Sequence, residues 1–110
     1  MKHQDAFIRN IRQIVNKQYT NPRFNVGSLI LATGLSETQF RRKFDALADI
    51  PPNQFIQSFR LKKALKLLQK TELNISDIAF RTGFADPSYF SRIFLKNYAV
   101  TPREFRKNLP

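Results

Sequence analysis

The side chains here that could do chemistry are cations and hydroxyls, and their spacing suits binding. In Pro87-Ser88-Tyr89-Phe90-Ser91-Arg92-Ile93-Phe94 the two phenylalanines stand four apart, on one face of a helix. Ser88 and Arg92 lie about half a turn round from Phe90, with Ser91 beside them at rather more than a quarter turn. An arginine fork can pair with O6 and N7 of guanine in the major groove of B-DNA, and small hydroxyls can meet any base edge or a thymine methyl. The pattern occurs earlier too, with Thr38, Arg41 and Arg42 opposite Phe40 and Phe44. These six are the candidate base-contacting residues. Arg41 sits on the flank of its face, where it could equally meet phosphate.

Composition points the same way. Nineteen Lys and Arg against eight Asp and Glu give a net charge of +11, which suits a polyanionic partner, either nucleic acid or an anionic membrane surface. Catalysis lacks a convergent set of groups: the chain has one histidine, no cysteine, no phosphate-cradling glycine loop and no acid pair in a defined relation to a nucleophile. His3 reads as a solvated side chain. No metal and no cofactor is expected, and the absence of cysteine excludes disulfides and thiolate metal sites. The longest apolar run, Leu29-Ile30-Leu31-Ala32, is only four residues, so neither a signal peptide nor a membrane span is expected and the default location is the cytoplasm. At 42% apolar with eleven Phe, the sequence can bury a modest core.

The elements that must position these side chains are helices. In residues 75–94, Ile75, Ile78 and Ala79 recur at helical spacing behind Asn74, an N-cap candidate, and the pattern stops at Gly83. Asp86-Pro87 then supplies a cap and a proline suited to a first helical position. This is a helix-turn-helix pattern, and it is duplicated. Asn25, Val26, Leu29, Gly34 and Leu35 align with Asn74, Ile75, Ile78, Gly83 and Phe84 at an offset of 49. Phe40, Arg42, Phe44, Pro52 and Phe55 align with Phe90, Arg92, Phe94, Pro102 and Phe105 at an offset of 50. Ser36 with Gln39, and Thr101 with Glu104, form capping boxes. Leu35 with Phe40, Ile50 with Phe55, Val100 with Phe105 and, more weakly, Ala85 with Phe90 have hydrophobic-staple spacing. The aromatics therefore read as core and not as base-stacking platforms.

Two further helices frame the repeat. After a polar, fraying stretch at residues 1–5, a first helix buries Phe7, Ile8, Ile11, Ile14, Val15 and Tyr19 on one face and stops before Asn21-Pro22. Residues 52–70 read as the longest helix, spanning roughly 28 Å against about 34 Å for one turn of B-DNA. Its Phe55, Ile56 and Phe59 lie nearly opposite Leu61, Ala64, Leu65 and Leu68, so its halves can serve different cores. Lys62, Lys66 and Lys70 make a stripe that is either a solvated face or a phosphate-facing one. Thr101 and Arg103, at the start of a last short helix, are candidate phosphate contacts. The matching start in the first unit, Pro51-Pro52, has lost two amide donors.

The string Ile78-Ala79, Gly83-Phe84, Asp86, Ser88-Tyr89-Phe90-Ser91-Arg92, Phe94, Thr101-Pro102 and Phe105-Arg106 resembles the signature of the AraC/XylS transcription regulators. That resemblance implies a bacterial DNA-binding domain of seven helices with two helix-turn-helix units, and base contacts on the same two helix faces. It also permits RNA polymerase as a second partner, and implies that a sensing or dimerisation domain is normally joined to such a segment. Residues 60–68 are similar to the family's Arg-Leu-x-x-Ala-x-x-Leu-Leu pattern, which suggests a structural ion pair for Arg60. Three departures stand out: Ile30 where the family usually has alanine, and Asp49 and Ala99 where it usually has glycine. The bulk of Ile30 is expected to shift or tilt the helix crossing, and a left-handed cap without glycine is costly.

The expected fold is all-α, a single DNA-binding domain over 1–110. It comprises a helix-turn-helix lobe at 5–50, a linker helix at 51–71 and a second lobe at 72–110. The expected function is sequence-specific binding of double-stranded DNA by a bacterial transcription regulator, with two recognition helices in successive major grooves. The alternative is a basic helical module that holds RNA or anionic lipid by charge.

Overall fold

A computed structural model of the chain describes residues 2–110, with side chains from Ala6 onward. Expectations for residues 1–5 and for His3 concern side chains outside that range. Seven helices follow one another: α1 (Lys2–Gln18), α2 (Val26–Thr33), α3 (Glu37–Leu47), α4 (Pro52–Lys70), α5 (Ile75–Arg81), α6 (Pro87–Tyr98) and α7 (Pro102–Lys107). All regular structure among the described residues is helical. The chain forms two compact units, Met1–Phe59 and Arg60–Pro110. Helix α4 is unbroken through its 19 residues, as a stretch without interior Gly or Pro should be.

In the first unit, α1 buries Ile11 and Val15 completely, with Phe7, Ile14 and Tyr19 partly covered beside them; Ile8 stays half-exposed. Phe24 ahead of α2, Leu29 and Ile30 of α2, Phe40 and Phe44 of α3, and Ile56 of α4 complete the core. Ile30 is 8% exposed, so its side chain is part of that core. The rings interlock: Phe7 and Phe40 lie 6.1 Å apart, Phe40 and Phe44 5.6 Å, and Phe44 meets Phe55 edge-on at 5.7 Å. Edge-to-face and offset pairs are favoured by the ring quadrupole, beyond the area they bury.

The second unit places phenylalanines at the matching positions. Phe90 and Phe94 lie 5.8 Å apart, and Phe94 meets Phe105 edge-on at 5.9 Å. Leu61, Ala64 and Leu68 of α4 and Ile78 and Ala79 of α5 fill out its core. The Phe40, Phe44, Phe55 set and the Phe90, Phe94, Phe105 set therefore occupy matching positions and share the closing edge-on contact, while the first ring pair is stacked at 21° in the first unit and tilted to 61° in the second.

The caps are local and follow from side-chain chemistry. Asn25 accepts from the Ser28 amide, Ser36 from Gln39, Asn74 from Asp77, Asp86 from Ser88 and Thr101 from Glu104. Each satisfies a helix N–H that has no intrahelical partner. Helix α5 ends in a Schellman motif: the Phe84 amide donates to Ala79 O at 2.9 Å and the Gly83 amide to Phe80 O at 3.2 Å, with Gly83 at φ 92°. In α2 the partner to this turn is Gly34 at φ 75°, and the Thr33 hydroxyl donates to Ile30 O while accepting from the Leu35 amide.

Two expectations need correction. Asp49 is not left-handed: α3 ends through Ala48 in an extended conformation, φ −123° and ψ 143°, so no left-handed residue is needed there. Ala99 does adopt the left-handed cap, at φ 63°. The staples are also uneven. Leu35 and Val100 pack against the two cores, whereas Ile50 is left 39% exposed and Ala85 is exposed.

Candidate nucleic-acid interface

In the second unit the buried side of α6 is fixed by Phe90 and Phe94, both fully buried, which turns Ser88 and Arg92 to solvent and leaves Ser91 half-buried. These three residues line a cleft of about 590 Å³, together with Ile75 and Ser76 of α5, Pro87, and Thr101, Pro102 and Arg103 at the start of α7. Five of the predicted residues, Ser88, Ser91, Arg92, Thr101 and Arg103, thus share one surface.

The cleft wall formed by α7 is set by Arg106. Its guanidinium donates to the carbonyls of Leu68 (3.2 Å), Thr71 (3.0 Å), Leu67 (3.5 Å) and Leu73. These oxygens are the C-terminal carbonyls of α4 and the turn that follows, where a helix leaves acceptors unpaired and its dipole favours a cation. Arg106 therefore holds α7 against the end of α4. At the cleft itself, the Thr101 oxygen accepts from the Glu104 amide and the Glu104 carboxylate accepts from the Thr101 amide at 2.9 Å. The Thr101 backbone N–H, and then its hydroxyl, hold the Glu104 carboxyl below its ordinary range. Pro102 brings no amide donor, so Arg103 carries the cation of this turn.

Arg92 is not isolated: its guanidinium lies 5.9 Å from the centre of the Tyr89 ring, one helical turn back. That contact restrains a long side chain on the exposed face.

In the first unit Thr38, Arg41 and Arg42 are all exposed on α3, Thr38 and Arg42 opposite the buried Phe40 and Phe44 and Arg41 on the flank of that face. Arg41 reaches back to Glu37, at 3.8 Å. Lys62, Lys66 and Lys70 of α4 are exposed in the second unit. Arg60 is half-buried, and loss of solvent lowers its pKa from the ordinary value.

Four contributors were missed in the sequence: Ser76, Tyr89, Glu37 and the clamp made by Arg106. Tyr89 with Arg92 and Glu37 with Arg41 have the i,i+3 and i,i+4 spacings that bring helix side chains together, so those contacts were there to be found. The Arg106 clamp joins residues 33 to 39 apart, and nothing local announces it.

Known proteins share this arrangement of helices. A family model described as a helix-turn-helix domain matches residues 29–108. A protein of Formosa agariphila named histidine kinase P4 is 34% identical over 102 residues, covering 93% of this chain and 7% of that protein. The transcriptional regulator MtrA of Neisseria gonorrhoeae is 28% identical over 97 residues, covering 88% of this chain and 32% of that protein. The chain thus spans a third or less of these relatives, and the kinase name describes a protein of which it matches a small part. Among solved structures, the C-terminal domain of the two-component response regulator yesN from Fusobacterium nucleatum superposes with a TM-score of 0.85 at 32% identity, covering 92% of this chain and 98% of that one. With its motifs, its paired helical units and these matches in agreement, the chain belongs to the AraC/XylS family of bacterial transcription regulators, as a DNA-binding domain of that family.

Proposed function

We propose that this domain binds double-stranded DNA by sequence, inserting α3 and α6 into successive major grooves. The observation that carries the reading is the second-unit cleft, where an arginine, two serine hydroxyls and the start of α7 meet on one surface. Arg92, Ser88 and Ser91 are assigned to base edges, and Thr38, Arg41 and Arg42 to the equivalent edges in the first unit. Thr101, Arg103, Lys62, Lys66 and Lys70 are assigned to phosphates, which fix register without reading sequence. A single chain could then do what many helix-turn-helix proteins need a dimer for.

The same reading takes 1–110 as one working domain, with recognition lobes at 5–50 and 72–110 and a spacer at 51–71. It places the work in the bacterial cytoplasm, where the DNA is. Because the chain spans so little of its relatives, a sensing or dimerisation domain fused to it is proposed as well, with RNA polymerase as a further partner. A gel-shift competition between duplex DNA, double-stranded RNA and anionic vesicles tests the assignment. Duplex DNA should compete best. Vesicles or RNA winning would replace sequence reading with charge-driven binding.

A further inference from the structure

We infer that Glu37 determines specificity in the first unit, its carboxylate accepting a hydrogen bond from the N4 amino group of a cytosine in the groove that α3 enters. The inference rests on the reading of α3 as a groove-entering helix. Glu37 is the first residue of α3 and 71% exposed, and helix-turn-helix proteins meet base edges with the N-terminal residues of this helix. The other acid on the helix, Asp45, lies about 12 Å further along the axis, away from that end.

A carboxylate carried into a phosphate-lined groove weakens binding to every sequence by repulsion, unless a base donor meets it. In the major groove only cytosine and adenine present an amino donor. Adenine offers its donor beside the N7 acceptor, which an ionised carboxylate cannot satisfy and would repel; cytosine offers N4 alone. The pairing with Arg41 leaves this chemistry intact. At 3.8 Å the two charges attract but lie beyond hydrogen-bond distance, so the carboxylate keeps its acceptor sites while Arg41 is held next to it. Ser36 and Gln39 already close the capping box, so the helix end asks of Glu37 only a first-turn negative charge, a modest role that leaves its carboxylate oxygens available to a base donor. The second unit has Pro87 at the matching position, so the effect belongs to the first unit alone.

The test is selection of bound duplexes from a random library by wild type, Glu37→Gln and Arg42→Ala, with circular dichroism and thermal melting to confirm folding. Wild type should prefer cytosine at one position of one block. In Glu37→Gln, whose amide can pair with adenine N6 and N7, that preference should move toward adenine by about tenfold, with binding to random duplex tighter because a repelling charge is gone. Retained cytosine, or a change equal on all sequences, would overturn the inference. Arg42→Ala separates the two levels. If it blurs the block while Glu37→Gln does not, α3 reads DNA but Glu37 does not; if it leaves the selected sequence untouched, the reading of α3 falls and this inference with it.

Discussion

Arg106 shows how one side chain can matter to binding without touching DNA. It serves four carbonyls at once, so its loss removes a shared donor from the end of α4 and the turn after it, where Leu67 O keeps the Thr71 amide and hydroxyl but the guanidinium contacts to Leu68, Thr71 and Leu73 are lost. Arg106→Ala is expected to destabilise the second unit by about 2–3 kcal/mol, and Arg106→Lys to recover little, because an ammonium lacks the planar fork. Chemical denaturation of the three proteins checks this, and a lysine variant as stable as wild type would show the fork to be irrelevant. At this scale the legible residues were those whose partners lie a turn away. Ser88, Ser91 and Arg92 could be assigned to one face from the spacing of Phe90 and Phe94, whereas the carbonyls that anchor α7 depend on where a distant helix ends.

Among the elements, the helix ends carry the clearest prediction. Ala99 holds a left-handed conformation at φ 63°, which costs a residue with a Cβ about 1–2 kcal/mol. Ala99→Gly should remove that strain, offset in part by the greater freedom of glycine in the unfolded chain, for a net gain of up to about 1 kcal/mol and a Tm higher by several degrees. An unchanged or lower Tm would mean the turn is already relaxed. Helix identity and capping were largely readable, because an Asn, Ser, Asp or Thr cap acts within three residues of itself. The Asp49 turn was not. The expectation there came from the family's usual glycine, but an extended Ala48 ends α3 by another route that local sequence does not distinguish. The bounds of α1 were also shorter in the sequence than in the structure, which starts it at Lys2; the hydrophobic pattern that marks a helix begins only where there is a face to bury.

For the molecule as a whole, duplication and charge have separable consequences. A chain of +11 should bind any duplex to some degree, with an affinity that falls steeply as salt rises. Lys66→Ala is expected to weaken specific and random duplexes alike and to reduce the salt slope by about 1. A loss confined to the specific site would move Lys66 from phosphate to base. Duplication was legible because an offset of 49 or 50 runs through caps, glycines and core aromatics together, and the Phe40, Phe44, Phe55 and Phe90, Phe94, Phe105 sets repeat it in space within each unit.

The most direct measurement of the central claim, that each unit reads its own stretch of sequence, compares duplexes selected by wild type, Arg42→Ala and Arg92→Ala. Wild type should select two short blocks about one helical turn apart, near 34 Å centre to centre. Each variant should lose about 1–3 kcal/mol on the selected site and blur one block, a different one in each case. Equal losses on selected and random DNA, or both variants blurring the same block, would contradict it.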